Sequence, residues 1–550
     1  MNRSRALTSL HTEEVDVLVI GGGITGAGAA LDAATRGLKT GLIEARDWAS
    51  GTSSRSSKLV HGGIRYLEQL NFSLVHEALS ERGLLLQRLA PHLVTPIKLL
   101  YPLETPVIER CYVGAGMLLY DLFARASRTK AGMRFHRHFS RRQLKRVAPG
   151  LKHDAFVGGL GYWDGQVDDA RLVVSVVRSA VDHGAAAASR VRAEGFVHES
   201  GRVVGVVARD LERDETFTIR AREIVIAAGV WTDDVLGLAE TEIRPRVRAS
   251  KGVHIVVPRD CFDSHAGLLL RTATSVLFVL PWGRHWIIGT TDTDWNLDKA
   301  HPAATEADID YLLDQVNRVV EHPITRDDVL GVYAGLRPLL SGQDENTSTL
   351  SREHTVATVE PGLTMIAGGK LTTYRVMASD VIDHVAPHTT SVTDTVVLRG
   401  GESFAAHWNR RSIFAEQHGL TLRQSERLLR RYGSDVRAIG ELLAAKPELS
   451  ATLPGADDTL LAEIVYACEA EGALHLDDVL TRRTRVSIEA EDRGLAAAPV
   501  AADLMAAALD WSEQQRDTEV QRYLERVAAE IESQLQLTDE AADRVRNNRP

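Results

Sequence analysis

Gly21-Gly22-Gly23-Ile24-Thr25-Gly26 follows the apolar run Val15–Ile20 and precedes the alanine-rich stretch Ala27–Thr35. The spacing is G-x-G-x-x-G, and each spaced glycine has its own task. Gly21 permits a tight turn, Gly23 lets the backbone approach a pyrophosphate, and Gly26 allows a helix to pack closely on a strand. Free amides at the start of that helix, with its dipole, attract phosphate oxygens. Glu44 closes a second short run, Lys39–Ile43, at the position from which a carboxylate accepts hydrogen bonds from ribose hydroxyls. Its charge disfavours a 2′-phosphate, so the chemistry points to a dinucleotide other than NADP.

Two later segments suit the same cofactor. Ile224–Gly229 reads as a strand ending in small residues, and Gly229 is a candidate for close approach to an extended dinucleotide. Ala367–Thr372 reads as another strand-to-helix turn, with Gly369, Leu371 and Thr372 placed to meet a flavin. Amides there would stabilise negative charge at the N1–C2=O edge of the reduced ring. Ser53, Ser54, Ser57 and Lys58, in Gly51–Lys58, offer hydroxyl and amide groups to a pyrophosphate or isoalloxazine. The same residues also suit packing glycines and a serine-rich surface loop, and periodicity does not choose between the two.

These residues need a frame. The opening reads as a βαβ unit whose first strand is of the buried, parallel type. Phe72–Arg146 reads as largely helical, including the apolar run Val113–Phe123, and Asp168–His183 as a further helix. Short β patterns follow at Val203–Ala208, Thr216–Ile219, Val253–Pro258, Ser275–Leu280 and Trp286–Gly289, with a last strand at Leu363–Ile366. Near residue 400 the β signals fade. Thr421–Tyr432 and Leu460–Glu471 carry helical spacing, so a helical region is expected over 401–550, its polar tail after Leu537 fraying.

Bulk properties exclude several functions. A net charge of −10 argues against nucleic-acid binding, which needs a positive field. Cys111, Cys261 and Cys468 form no CxxC pair, so neither a redox disulfide nor a thiolate metal site is expected. No signal-peptide core precedes the first strand, and no apolar run reaches the ~18–20 residues of a membrane span. Any membrane contact would lie at the surface. Val113–Phe123, with Tyr112, Tyr120, Arg125 and Arg128, suits an interfacial helix, and a buried core helix at least as well.

With these residues in view, the chain resembles the FAD-dependent glycerol-3-phosphate dehydrogenases. IGGGITGAGAALDAATRG at residues 20–37 is similar to their N-terminal signature and GGKLTTYRVMA at 368–378 to their second. SSRSSKLVHGGIRYLE, DGQVDDARL, IIGTTDTD, GLRPLL and LTRRTRVSIE also match in order, so the similarity spans nearly the whole chain. The resemblance implies an α/β fold: a Rossmann-like FAD-binding domain interleaved with a mostly antiparallel β substrate domain, plus a helical C-terminal cap domain. FAD-binding segments are expected at about 12–75, 150–245 and 330–395, and substrate segments at about 76–149 and 246–329. It also implies oxidation of sn-glycerol 3-phosphate to dihydroxyacetone phosphate, with FAD as cofactor and electrons passed to the quinone pool. A homodimer, cytoplasmic and peripheral on the inner face of the cell membrane, is the expected assembly.

The resemblance assigns Arg65, Tyr66, Arg337 and Lys370 to the substrate pocket. Arginine's planar fork suits phosphate oxygens. His61 and His254 both occupy segments like the family's, and either could accept the C2 hydroxyl proton near neutral pH. His254, in a strand pattern, is the preferred base, with His61 near the flavin and Arg337 also able to orient the hydroxyl. Three alternatives share the fold. A glycerol-3-phosphate oxidase would use the same pocket and pass electrons to oxygen, but no long polar insertion of the oxidase kind is evident. An amine or amino-acid oxidase fits the cation set less well. A flavin-binding sensor without turnover would not need every one of those cations.

Overall fold

The protein is described by a computed structural model over residues 1–68, 70–126, 133–152, 154–239, 247–272, 276–340 and 354–547, without the side chains of Arg65 and Glu68. Ser275 and Arg128 therefore lie outside the described residues.

Val15–Ile20 is apolar on both faces and almost wholly buried, as a central parallel strand must be. It pairs in parallel with Glu215–Ile226 on one side and Thr40–Glu44 on the other. Leu363–Gly368 and Ala186–Ser189 extend the parallel array outward. The register sets Ile20 level with Ile43 and Ile226, and Ile226 level with Met365. The Gly21 turn, Glu44, Ala227–Gly229 and Gly368–Gly369 therefore emerge along one edge, where ligands of open α/β sheets bind. His354–Glu360 adds an antiparallel edge, and Val191–Glu199 and Arg202–Asp210 form a meander on Glu215–Ile226. The helices Ile24–Thr35, Asp169–Asp182 and Tyr374–Val385 pack together on one face of this sheet.

The second sheet, ten-stranded among the described residues, is antiparallel except where Gly267–Arg271 meets Thr95–Leu103. Its longest pairing joins Val247–Pro258 to Gly331–Leu340. Glu306–Asn317 covers one face, and Phe72–Leu84 with Ile108–Ala126 covers the other.

Three expectations are corrected here. Phe72–Arg146 is not largely helical throughout, because Thr95–Leu103 and Arg137–Ser140 are strands, both paired with Gly158–Gln166. The expected segment limits shift as well: Gly158–Gln166 and Gly331–Leu340, read as cofactor-binding stretches, are strands of the second sheet. The tail does not fray after Leu537. Asp539–Asn547 is a helix with Ala542 fully buried beside Trp295 and Leu336. Lys251 Nζ bonds Asp308 Oδ2 at 2.6 Å and also Asp539, and Asp543 accepts the Asp298 amide.

The helical C-terminal region is tied to the first sheet by buried ions. Asp47 accepts Arg482 Nε at 2.5 Å and both terminal nitrogens of Arg483 at 2.7 Å. Arg482 also reaches Asp477 and Asp478, whereas Asp47 is the only carboxylate within ion-pair distance of Arg483 among the described residues. Asp47→Asn strands that guanidinium, and losing one member of a buried pair costs about 3–5 kcal/mol. A chemical denaturation of the variant should show that loss; a change under ~1 kcal/mol would mean that the pair's desolvation cancels its attraction.

Candidate active site

A cavity of about 1150 Å³ runs along the edge where the parallel strands end. Gly21 and Gly23 line it at one end, Gly369, Leu371 and Thr372 further along, and His61, His254, Arg337 and Lys370 also open onto it. Glu44, Ser53, Ser57 and Gly229 complete the expected residues on its wall.

The dinucleotide end is built from backbone. Gly21 sits at φ +119°, and a Cβ there would lie 2.5 Å from the Ala227 carbonyl oxygen. Glu44 accepts the Gly22 amide at 2.6 Å and the Arg46 amide at 2.7 Å. A carboxylate offers about four acceptor positions, so two remain for ribose hydroxyls. Gly23, the N-cap of Ile24–Thr35, brings no side-chain cap, while Ser53 Oγ accepts the Ile24 amide at 3.0 Å. Several cations without a sequence assignment belong to this wall, Arg46 and Arg55 among them. Arg46 lies over the Trp231 ring at 5.5 Å, and Arg55 donates to the Ala300 carbonyl at 3.2 Å. Burial, with the nearby guanidinium of Arg546, pushes Arg55 down to about 9. This cation-rich wall is one that a pyrophosphate would neutralise. Glycine cradle, helix amides, ribose-facing carboxylate and cations together fit FAD.

The other end is set by the second sheet. His254 is level with Tyr333, and Arg337 with Ser250, on the longest strand pair. Residues two and four apart share a face of a strand, so His254 and Arg337 project from the same side. The His254 ring stacks on Tyr333, centroids 4.7 Å apart and 9° from parallel. A Cβ on Gly289 would strike the opposite side of that ring at 2.3 Å. Nε2 lies 2.8 Å from Ser57 Oγ, and Nδ1 has no hydrogen-bond partner among the described residues. Burial first, then the charges of Arg337 and Lys58, hold His254 well below the usual histidine range, so it is neutral near pH 7.

Arg337 is oriented by Thr290 Oγ1 at 3.0 Å, the Thr291 carbonyl at 3.1 Å and Asp292 Oδ1 at 3.3 Å. Lys370 Nζ rests 3.6 Å above the centre of the Tyr66 ring, itself just behind the wall. His61 and Thr372 exchange hydrogen bonds: the Thr372 hydroxyl accepts the His61 amide at 3.1 Å and donates to its carbonyl at 3.2 Å. That exchange joins the His61-Gly62-Gly63 turn to the Gly368–Thr372 turn.

Some expected residues stand elsewhere. Gly26 acts in packing and not on the wall, since a Cβ there would meet the Gly21 carbonyl oxygen. Ser54 and Lys58 do not face the cavity. Lys58 is fully buried with Nζ 2.9 Å from Asp169 Oδ1, so its charge is spent inside the protein and not on a cofactor. The Arg65 side chain lies outside the described residues.

Comparison with known proteins follows the same division of the chain. Residues 16–375 match the family model of FAD dependent oxidoreductases, and residues 391–516 match that of the C-terminal domain of alpha-glycerophosphate oxidase. The chain is 50% identical over 556 residues to glycerol-3-phosphate dehydrogenase 2 of Mycobacterium tuberculosis, covering 100% of this chain and 94% of that protein. It is 35% identical to the alpha-glycerophosphate oxidase of Streptococcus pneumoniae, over 94% of this chain and 96% of the other. Its structure superimposes on the glycerol-3-phosphate dehydrogenase of Bacillus halodurans complexed with FAD, with a TM-score of 0.79 at 30% identity, covering 96% and 97% of the two chains.

Proposed function

Since the chain belongs to the FAD-dependent glycerol-3-phosphate dehydrogenase family, we propose that its cavity oxidises sn-glycerol 3-phosphate to dihydroxyacetone phosphate and that the electrons leave to a membrane quinone. The observation that carries this reading is the meeting of Arg337, Lys370 and a neutral His254 in the cavity that begins at the glycine turn.

Bound FAD supplies the acceptor for the C2 hydride. The protein's own part is charge, position and a proton acceptor. Arg337 presents its fork to the phosphate, and Lys370 adds a second positive charge. Arg65 and Tyr66 complete the pocket by family resemblance. His254, its Nε2 held 2.8 Å from Ser57 Oγ, accepts the C2 hydroxyl proton. Its lowered pKa keeps the imidazole neutral across the neutral range. Gly21, Gly23, Glu44, Arg46 and Arg55 hold the dinucleotide half of the cofactor, and His61 with the Gly368–Thr372 turn holds the ring end.

Attachment to the cytoplasmic face of the membrane draws on a second observation. No helix among the described residues is long and apolar enough to cross a bilayer. The helix Ile108–Ala126 buries Met117 and Tyr120 and turns Ile108, Tyr112, Leu118 and Leu122 outward; Val107, just before it, is 65% exposed. An apolar face of this kind suits the interfacial layer of a membrane. The homodimer is carried by the family resemblance alone.

One experiment tests the reading. The flavin of the purified holoprotein should bleach anaerobically on adding glycerol 3-phosphate and not on adding glycerol. Reoxidation should be fast with quinone-loaded vesicles, with which the protein co-sediments, and slow with oxygen. Fast reoxidation by oxygen alone would instead make the chain an oxidase, and no bleaching would remove the substrate assignment.

A further inference from the structure

Stacking on Tyr333 fixes the plane of the His254 ring, and the contact of Nε2 with Ser57 Oγ fixes where its edge sits in that plane. Ser57 is in turn set by its neighbours. Asp169 Oδ2 accepts the Ser56 amide at 3.0 Å and the Ser56 hydroxyl at 2.7 Å. Asp169 Oδ1 accepts Lys58 Nζ at 2.9 Å, and Lys58 holds a left-handed backbone, φ +57°. The residues before and after Ser57 are thus gripped by one buried carboxylate.

That carboxylate is itself gripped from the helical C-terminal region. Arg485 is 2% exposed. Its Nη2 bonds Asp168 Oδ1 at 2.6 Å and also Asp169 Oδ1, while Nη1 donates to the Ser54 carbonyl at 3.0 Å. One planar guanidinium therefore clamps both the acid that holds Ser56 and Lys58 and the backbone leading into them. Arg485 does not line the cavity and is too deep to meet substrate.

We propose that Arg485 is a positioning residue for proton transfer at His254, acting through Asp169 and the Ser56–Lys58 segment. The proposal rests on the reading of His254 as proton acceptor. It assigns the helical region a part in the chemistry carried out in the other sheet. With Arg485 in place, the Ser57 hydroxyl holds the Nε2 edge of the imidazole at 2.8 Å. Without it, the segment relaxes and the imidazole no longer meets the C2 hydroxyl at one fixed place.

The test uses Arg485→Gln, Ser57→Ala, their combination, and His254→Gln, each as holoprotein. Arg485→Gln leaves Arg431 on Asp168 and Lys58 on Asp169, so each acid keeps a cation. Misplacing a reacting group by about an ångström costs roughly a hundredfold. Arg485→Gln and Ser57→Ala should each slow flavin reduction about tenfold to a hundredfold, with full flavin content and KM within about twofold of the parent. The double variant should be no slower than Ser57→Ala, because both remove one linked device. Additive losses, or an unchanged reduction rate in flavin-replete Arg485→Gln, would overturn the proposal. Ser56→Ala severs the hydroxyl link to Asp169 with every charge kept, and takes the place of Arg485→Gln should that variant not fold. Normal reduction by His254→Gln would remove the proton-acceptor reading itself; its collapse beside normal rates in the other variants would remove only the role of Arg485.

Discussion

Gly26→Ala yields a protein that purifies with little flavin. The added Cβ would stand 1.9 Å from the Gly21 carbonyl oxygen and 3.0 Å from its carbon, both backbone atoms. Neither can swing aside as a side chain would. Gly21 faces the Ala227 backbone with too little room even for a Cβ, so the turn has little space to retreat toward the sheet. The helix Ile24–Thr35 must lift instead, taking with it the amides that face the pyrophosphate. Overpacking of this kind costs about 1–3 kcal/mol, and here it acts mainly on the shape of the cofactor seat. Each 1.4 kcal/mol is a factor of ten, so affinity for flavin should fall about tenfold to a hundredfold. The measurement is flavin absorbance per protein after gel filtration. Gly116→Ala, whose Cβ meets open space, is the control and should keep its flavin. A full complement of flavin in Gly26→Ala would show that the helix has slack at this contact.

The second large effect is expected from Arg337→Ala, on substrate and not on cofactor. Thr290, Thr291, Ser250 and Asp292 hold the guanidinium in one orientation, so little entropy is lost when it meets an anion. A hydrogen bond to a charged group contributes about 1.5–3 kcal/mol, and KM for glycerol 3-phosphate should rise about tenfold to a hundredfold. If Arg337 binds ground and transition states alike, kcat changes little; a fall in kcat as well would place it at the reacting hydroxyl. Arg337→Lys should recover only part of the loss, because an ammonium lacks the fork. An unchanged KM would end its assignment to phosphate.

The cofactor half of the fold is written locally. A buried strand, a glycine turn, an alanine-rich helix and a terminal Glu44 lie within one short stretch, and each constrains the next. The strand Thr95–Leu103 is not local in that sense. It is a short apolar run, which periodicity cannot tell from a buried helix, and Pro96 and Pro102 argue against an inner strand. Its pairing with Gly158–Gln166 decides the matter from far away. The tail is hidden from the sequence for the same reason. Asp539 and Asp543 look like solvated charge until Lys251 and the Asp298 amide are seen beside them.

The site divides similarly. His254 and Arg337 stand together because two strands distant in sequence share a register, which no motif displays. Ser53 and Ser57 face the cavity while Ser54 and Lys58 turn inward, since Asp169 and Arg485 twist the loop. Arg46 carries no sequence signal beyond its charge, and a lone arginine is usually a surface residue; Arg55 stands inside the Gly51–Lys58 segment, where the serines draw the reading instead.

The strand order of the first sheet also bears on how the protein is made. Val15–Ile20 needs Glu215–Ile226 on one flank, and that strand needs Leu363–Gly368 on the next. A ribosome adding about 5–20 residues per second delivers the last of these on the order of tens of seconds after the first. Until then the nascent chain presents an apolar strand with an open edge, the kind of surface that recruits other chains. Fragments ending before Leu363 should therefore aggregate during expression, and the intact protein should need chaperone cover until the sheet closes. Slow, cool production with flavin in excess follows from that order of assembly.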